Sequence, residues 1–134
     1  MTGPIRLLLV CTLFGLGAWG CAKSASDLPN LSEMSGAVTL DGKPVTNAAV
    51  SFESANGQVA FGNTDSEGRY ELIFRDGAKG AEVGPNTVRI ETVLEGPPAP
   101  NYRDPIPAKY NKASTLTVEV TPDAHTHDFA LESK

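Results

Sequence analysis

Residues 35–72, SGAVTLDGKPVTNAAVSFESANGQVAFGNTDSEGRYEL, place apolar side chains at every second position, with turn residues between the runs. Val38 and Leu40 alternate with Ala37 and Thr39; Val50 and Phe52 alternate with Ala49, Ser51 and Glu53. Successive side chains of a strand point to opposite faces of a sheet, so this pattern predicts half-buried strands. Asp41-Gly42 tolerates the left-handed backbone of a tight turn, and Pro44 fixes φ beside it. Thr64-Asp65-Ser66-Glu67-Gly68 supplies side-chain oxygens for turn amides. Gly42 and Gly68 are expected at positive φ. A weaker strand is expected over Gln58 to Asn63 with Phe61 in the core. Tyr70, Leu72 and Phe74 then mark an inner face.

The pattern continues to the end of the chain. Val88 and Ile90 alternate with Arg89 and Glu91; Leu116, Val118 and Val120 alternate with Thr117, Glu119 and Thr121; Phe129 and Leu131 alternate with Asp128, Ala130 and Glu132. No window shows helical spacing. Seven short strands with turn signals between them predict an all-β, antiparallel sandwich over residues 35–132. The 13 Gly and 10 Pro of the 134-residue chain fit such a turn-rich architecture and oppose a helical bundle. Two connections are long: RDGAKGAEVGPN (75–86) and the Pro-rich EGPPAPNYRDPIPAKYNKAS (95–114). Loops of that length in a compact domain often carry function.

The first twenty residues, MTGPIRLLLVCTLFGLGAWG, follow another logic. Arg6 precedes an apolar run from Leu7 to Leu16, then small residues lead to Cys21. That is the layout of a secretory signal peptide, and the run is shorter than the roughly 20 residues of a permanent span. Ala18-Trp19-Gly20-Cys21 resembles a bacterial lipobox. Gly20 and Cys21 carry the match; Ala18 and Trp19 depart from the usual types. The resemblance implies cleavage before Cys21, a diacylglycerol on its thiol and acylation of the new N-terminus, with long chains such as palmitate. Cys11 leaves with the signal, so Cys21 would otherwise be a lone thiol in an exported protein. Two or three acyl chains, at about 0.8 kcal/mol per buried CH₂, make a stable anchor. The chain is then exported and held at the cell membrane or outer membrane, facing periplasm or cell surface. Residues 21–34, the lipidated Cys and a polar, Pro-containing stretch, are expected to be a flexible tether reaching at most roughly 40 Å.

Removing residues 1–20 leaves 114 residues with ten Lys/Arg against sixteen Asp/Glu, a net charge of −6. Anionic headgroups should repel such a surface, so attachment is assigned to the lipid, with the domain held off the membrane. The acidic balance and the lack of a Lys/Arg cluster exclude a nucleic-acid partner.

Ser-Gly-Ala-Val-Thr-Leu-Asp-Gly-Lys-Pro-Val (35–45), the strand through Val50 and Phe52, and Thr-Asp-Ser-Glu-Gly-Arg-Tyr (64–70) together resemble the carboxypeptidase regulatory-like domain. Val88-Arg89-Ile90 and Pro107-Ala108-Lys109-Tyr110-Asn111 fit the same pattern in small bacterial lipoproteins. The resemblance implies a transthyretin-like (prealbumin-like), seven-stranded, Greek-key-like sandwich. It also implies a noncatalytic role in the cell envelope.

Little in the chain points to chemistry. His125 and His127 are two apart and share parity with Phe129 and Leu131, which faces the core, but no third ligand lies nearby in sequence. They are read as a turn histidine and a rim histidine. Asp65 and Glu67 before Gly68 lack the other carboxylates of a calcium loop and are read as a turn. No nucleophile has a positioned base. The urate-pathway hydrolase that shares the transthyretin-like fold uses a Tyr-Arg-Gly-Ser tail, whereas this chain ends Leu131-Glu132-Ser133-Lys134. Glu91 resembles the Glu that assists isopeptide bonds in an adhesin-type sandwich, yet Ser35 to Leu40 holds no Lys to be linked. No catalytic residue, metal site or cofactor is therefore expected.

The expected function is binding or structural. Tyr102, Arg103, Lys109 and Tyr110 in the Pro-rich loop form the candidate surface for a protein or carbohydrate, because aromatics and Arg often anchor interfaces. The competing reading has these tyrosines packing on the side of the domain. An alternative is a spacer or assembly unit that pairs through an edge strand.

Overall fold

The computed structural model describes residues 27–134. The signal peptide expected over residues 1–20, the attachment expected at Cys21 and the part of the expected tether up to residue 26 lie outside the described residues.

Ten strands follow in order: β1 (Leu31–Ser32), β2 (Ser35–Leu40), β3 (Lys43–Pro44), β4 (Ala48–Ser54), β5 (Val59–Asn63), β6 (Arg69–Glu71), β7 (Ala81–Glu82), β8 (Gly84–Thr92), β9 (Thr117–Val120) and β10 (Phe129–Leu131). Two 3-10 turns, Arg75–Gly77 and Ala108–Tyr110, are the only helical elements among the described residues. The protein is all-β. Each of the seven alternating segments contains a strand, and three two-residue strands join them.

One sheet has the order β5-β4-β8-β9, antiparallel throughout. In a second, β2 has β10 on one side and both β3 and β6 on the other, while β1 and β7 form a separate two-stranded ladder. The β2–β10 pair is parallel, with Phe129 opposite Val38 and Leu131 opposite Leu40, so the wholly antiparallel arrangement expected above is corrected. Parallel neighbours need a long crossover, and here nearly the whole domain lies between the two strands. The sheets also meet at a corner, where Phe61 and Ile73 exchange both backbone hydrogen bonds at 3.0 and 2.9 Å.

One core lies between the two sheets. Val50, Phe52, Val88, Ile90 and Val120 of the first face Val38, Tyr70, Leu72, Phe129 and Leu131 of the second, all buried. The Phe52 ring centroid stands 6.0 Å from Phe129, edge to face, and 6.5 Å from Tyr70. Each large apolar side chain so buried contributes about 1.5–3 kcal/mol of gross transfer free energy.

Two expectations fail against this core. Phe61 is 58% exposed, while Ala60 and Gly62 take the inward positions of β5. A Cβ at position 62 would stand 2.1 Å from the Glu71 carbonyl oxygen, so β6 crosses too closely for any bulk beneath it. The tether assigned to residues 21–34 is also too long. β1 pairs with β7, Met34 is buried, and Leu28 and Leu31 pack against the core. Two residues of strand are too few for alternation to register in the sequence.

Candidate functional site

The Pro-rich loop leaves β8 at Thr92 and returns at β9, and its two halves differ. The returning half is fastened to the domain. Asp104 Oδ1 accepts hydrogen bonds from Thr92 Oγ1 at 2.7 Å and from the Ile106 amide at 2.9 Å. Ile106 is fully buried, and Asn111 beneath it donates Nδ2 to the Ile106 carbonyl at 3.4 Å. Ser114 Oγ donates to the Val88 carbonyl, closing the loop back onto β8.

Lys109 and Tyr110 belong to this fastened half. The Tyr110 hydroxyl accepts the Glu132 amide at 3.0 Å. Lys109 Nζ donates to the Lys134 carbonyl at 2.7 Å and lies 5.0 Å from the Tyr110 ring centroid. Both side chains thus serve the contact with the C-terminal strand. Tyr102 and Arg103 belong to the other half and stay exposed, with the Tyr102 amide held by the Ala99 carbonyl at 2.9 Å in a turn. The structure therefore pairs Lys109 with Tyr110 and leaves Tyr102 and Arg103 apart from them at the loop tip.

Val93 and Leu94, 44% and 43% exposed, stand at the start of the same loop. Sequence reading missed them because the alternation of β8 ends at Thr92; the signal available was an apolar pair beyond the last strand position. A groove of about 400 Å³ runs between Leu40, Lys43, Pro44 and Val45 on one side and Pro105 and Ile106 on the other.

The remaining candidates resolve into structure. The His125 ring Nδ1 lies 3.3 Å from the Glu33 carbonyl oxygen, and the side chain is exposed rather than on the core face. His127 is half-buried, its ring centroid 4.7 Å from that of Phe129. The shared core face expected for the pair is corrected: β10 begins only at Phe129, so strand parity does not reach back to residue 125. Among the described residues no group of three His, Cys, Asp or Glu is placed to hold a metal ion.

Asp65 spends Oδ1 on the amides of Glu67 at 2.8 Å and Arg69 at 2.9 Å. Those amides, Arg69 first, hold its carboxyl below the usual carboxylate range. Hydrogen bonds from Ser133 do the same for Asp41. Burial, then the nearby charge of Asp128, pushes the Tyr70 phenol far up, so it stays protonated. Glu91 is exposed on the outer face of β8, opposite Ala49 of β4. None of these groups stands in a nucleophile–base arrangement.

Compared with protein-family models, characterised proteins and solved structures, the chain matches none.

Proposed function

We propose that the chain is an exported lipoprotein of the cell envelope whose domain, a transthyretin-like sandwich of the carboxypeptidase regulatory-like type, is a noncatalytic module binding a protein or carbohydrate. The observation that carries this is the divided Pro-rich loop. An exposed tip bearing Tyr102 and Arg103, entered past Val93 and Leu94, stands on a base pinned by Asp104, Ile106 and Asn111. Rigidly based loops that display aromatics and Arg are the usual form of a recognition surface. Lys109 and Tyr110 are reassigned from contact residues to supports of that base.

Two measurements test the reading. Labelled palmitate enters the wild type and not Cys21→Ser; label retained by the variant overturns the anchor. Affinity capture from envelope extracts loses its partner with Tyr102→Ala/Arg103→Ala. Capture that ignores the tip pair overturns the loop as the site.

A second reading is favoured by one feature. Among the described residues β9 pairs with β8 alone, and because the Val88 amide bonds the Leu116 carbonyl, Thr117 and Glu119 turn their backbone groups to the other edge. A spacer or assembly role would use that edge, as unpaired strand edges template pairing with another chain. Concentration-dependent association abolished by Glu119→Pro would select it.

A further inference from the structure

We infer that the corner formed by Val59, Phe61 and Ile73 rests on the lipid surface that carries the anchor. This placement depends on the lipoprotein reading above. Phe61 is 58% exposed and Val59 44%, and both project from the outer face of β5. Ile73 is the direct cross-strand partner of Phe61, so its half-buried side chain joins the same face. An apolar cluster of this kind on a soluble domain marks an interaction surface.

Where the described chain begins says which surface. Arg75, two residues beyond Ile73, donates its guanidinium to the Asp27 carbonyl. From Cys21 to Asp27 there are six Cα steps, at most about 20 Å of extended chain. A tether running to Ser35 would hold the domain well clear of the membrane; a tether ending at Asp27 holds this corner against it. Lipidation supplies the affinity, and a short tether gives the patch a high effective concentration at the bilayer, so weak apolar insertion suffices. The charges around the corner are mixed, with Asp76 next to Arg75 and Asp65 near Ile73. Lys79 beside Ile73 is paired with Glu71 at 2.8 Å, and Arg75 brings a positive charge.

The same arrangement points the recognition loop outward. Val59 pairs with Glu53 near the end of β4, whereas Val93 donates its amide to the Asn47 carbonyl just before β4 begins. The base of the Pro-rich loop is therefore about 13 Å along the sheet from Phe61 and about 20 Å from Val59.

The test uses the full lipidated protein in vesicles of phosphatidylethanolamine and phosphatidylglycerol. Lipidation consumes Cys21 and cleavage removes Cys11, so an introduced Cys is the sole free thiol. Phe61→Cys and, on the opposite sheet edge, Glu119→Cys carry an environment-sensitive fluorophore, with nitroxide-labelled lipids as quencher. The probe at position 61 should be quenched roughly twofold or more and the probe at 119 should not. Hydrogen exchange on the unsubstituted protein is independent of any variant: amides of 59–61 and 73–79 should be slower in vesicles than in detergent. Equal quenching at both positions with unchanged exchange, on protein that floats with vesicles, overturns the placement while leaving the anchor intact. Disulfide-linked pairs of the unlabelled Phe61→Cys chain with no change in exchange assign the patch to a second copy and also overturn it. Protein that fails to float and lacks acyl mass overturns the lipoprotein reading, and the placement falls with it.

Discussion

Gly36 stands inside β2, where a Cβ would lie 1.9 Å from the His127 carbonyl oxygen and 3.0 Å from the Tyr70 ring. That carbonyl is also the acceptor for the Tyr70 hydroxyl at 2.5 Å. One backbone oxygen therefore joins β2, β6 and the approach to β10. Gly36→Ala forces main-chain movement at this point. It should cost at least about 1–3 kcal/mol in denaturant unfolding, as overpacking against a rigid neighbour does. Tyr70→Phe removes only the donor and should cost about 1 kcal/mol. Asp65 gives a pH signature. Its carboxyl is held low in the folded protein, so its contribution is complete above the ordinary value of 3.8 and fades as pH falls through the lowered one. Asp65→Ala should lower Tm at pH 7, and the gap from wild type should close as a thermal-melt series is taken below 3.8. Gly68, at φ 76°, completes that turn, as the left-handed backbone expected of it requires.

At the scale of elements, the informative cases are β1 and β5. Met34 is buried although it falls in a stretch whose composition reads as linker, because the Leu72 amide bonds the Met34 carbonyl at 2.9 Å and β1 pairs beside β7. Met34→Ala should destabilise by about 2–5 kcal/mol, a loss that a residue in a free tether could not produce. β5 shows the reverse. Its largest side chain faces out, so Phe61→Ser should change stability by less than about 0.5 kcal/mol in the same denaturant measurement. Long alternating runs such as those of β4 and β8 were legible because seven or nine residues repeat the pattern several times. β1, β3 and β7 have two residues each and leave no pattern to read. The candidate loop was legible by its length and its prolines. Its division was not, because the anchoring of Asp104, Ile106 and Asn111 depends on β8 beside them.

For the whole molecule, closure rests on the last strand. β10 lies parallel to β2, and Phe129 and Leu131 complete the core from the far end of the chain. Removing residues 127–134 takes away both side chains and the Tyr70 acceptor together, and the truncated chain should show no cooperative unfolding transition by circular dichroism. Pairing of segments so distant in sequence is slow, so refolding should fall in the millisecond-to-second range in stopped-flow fluorescence.

By itself the sequence determined the all-β class, the positions of the main strands and the tight turns at Gly42 and Gly68. These follow from local chemistry: side-chain alternation and backbone handedness act over a few neighbouring residues. Only the tertiary structure decided that β2 and β10 run parallel, that the domain begins before Ser35, and that Phe61 faces out. Each of those is set by how closely two distant segments approach, as where β6 leaves no room for a side chain at Gly62. Such distances are properties of the packed sheets, and no short stretch of residues encodes them.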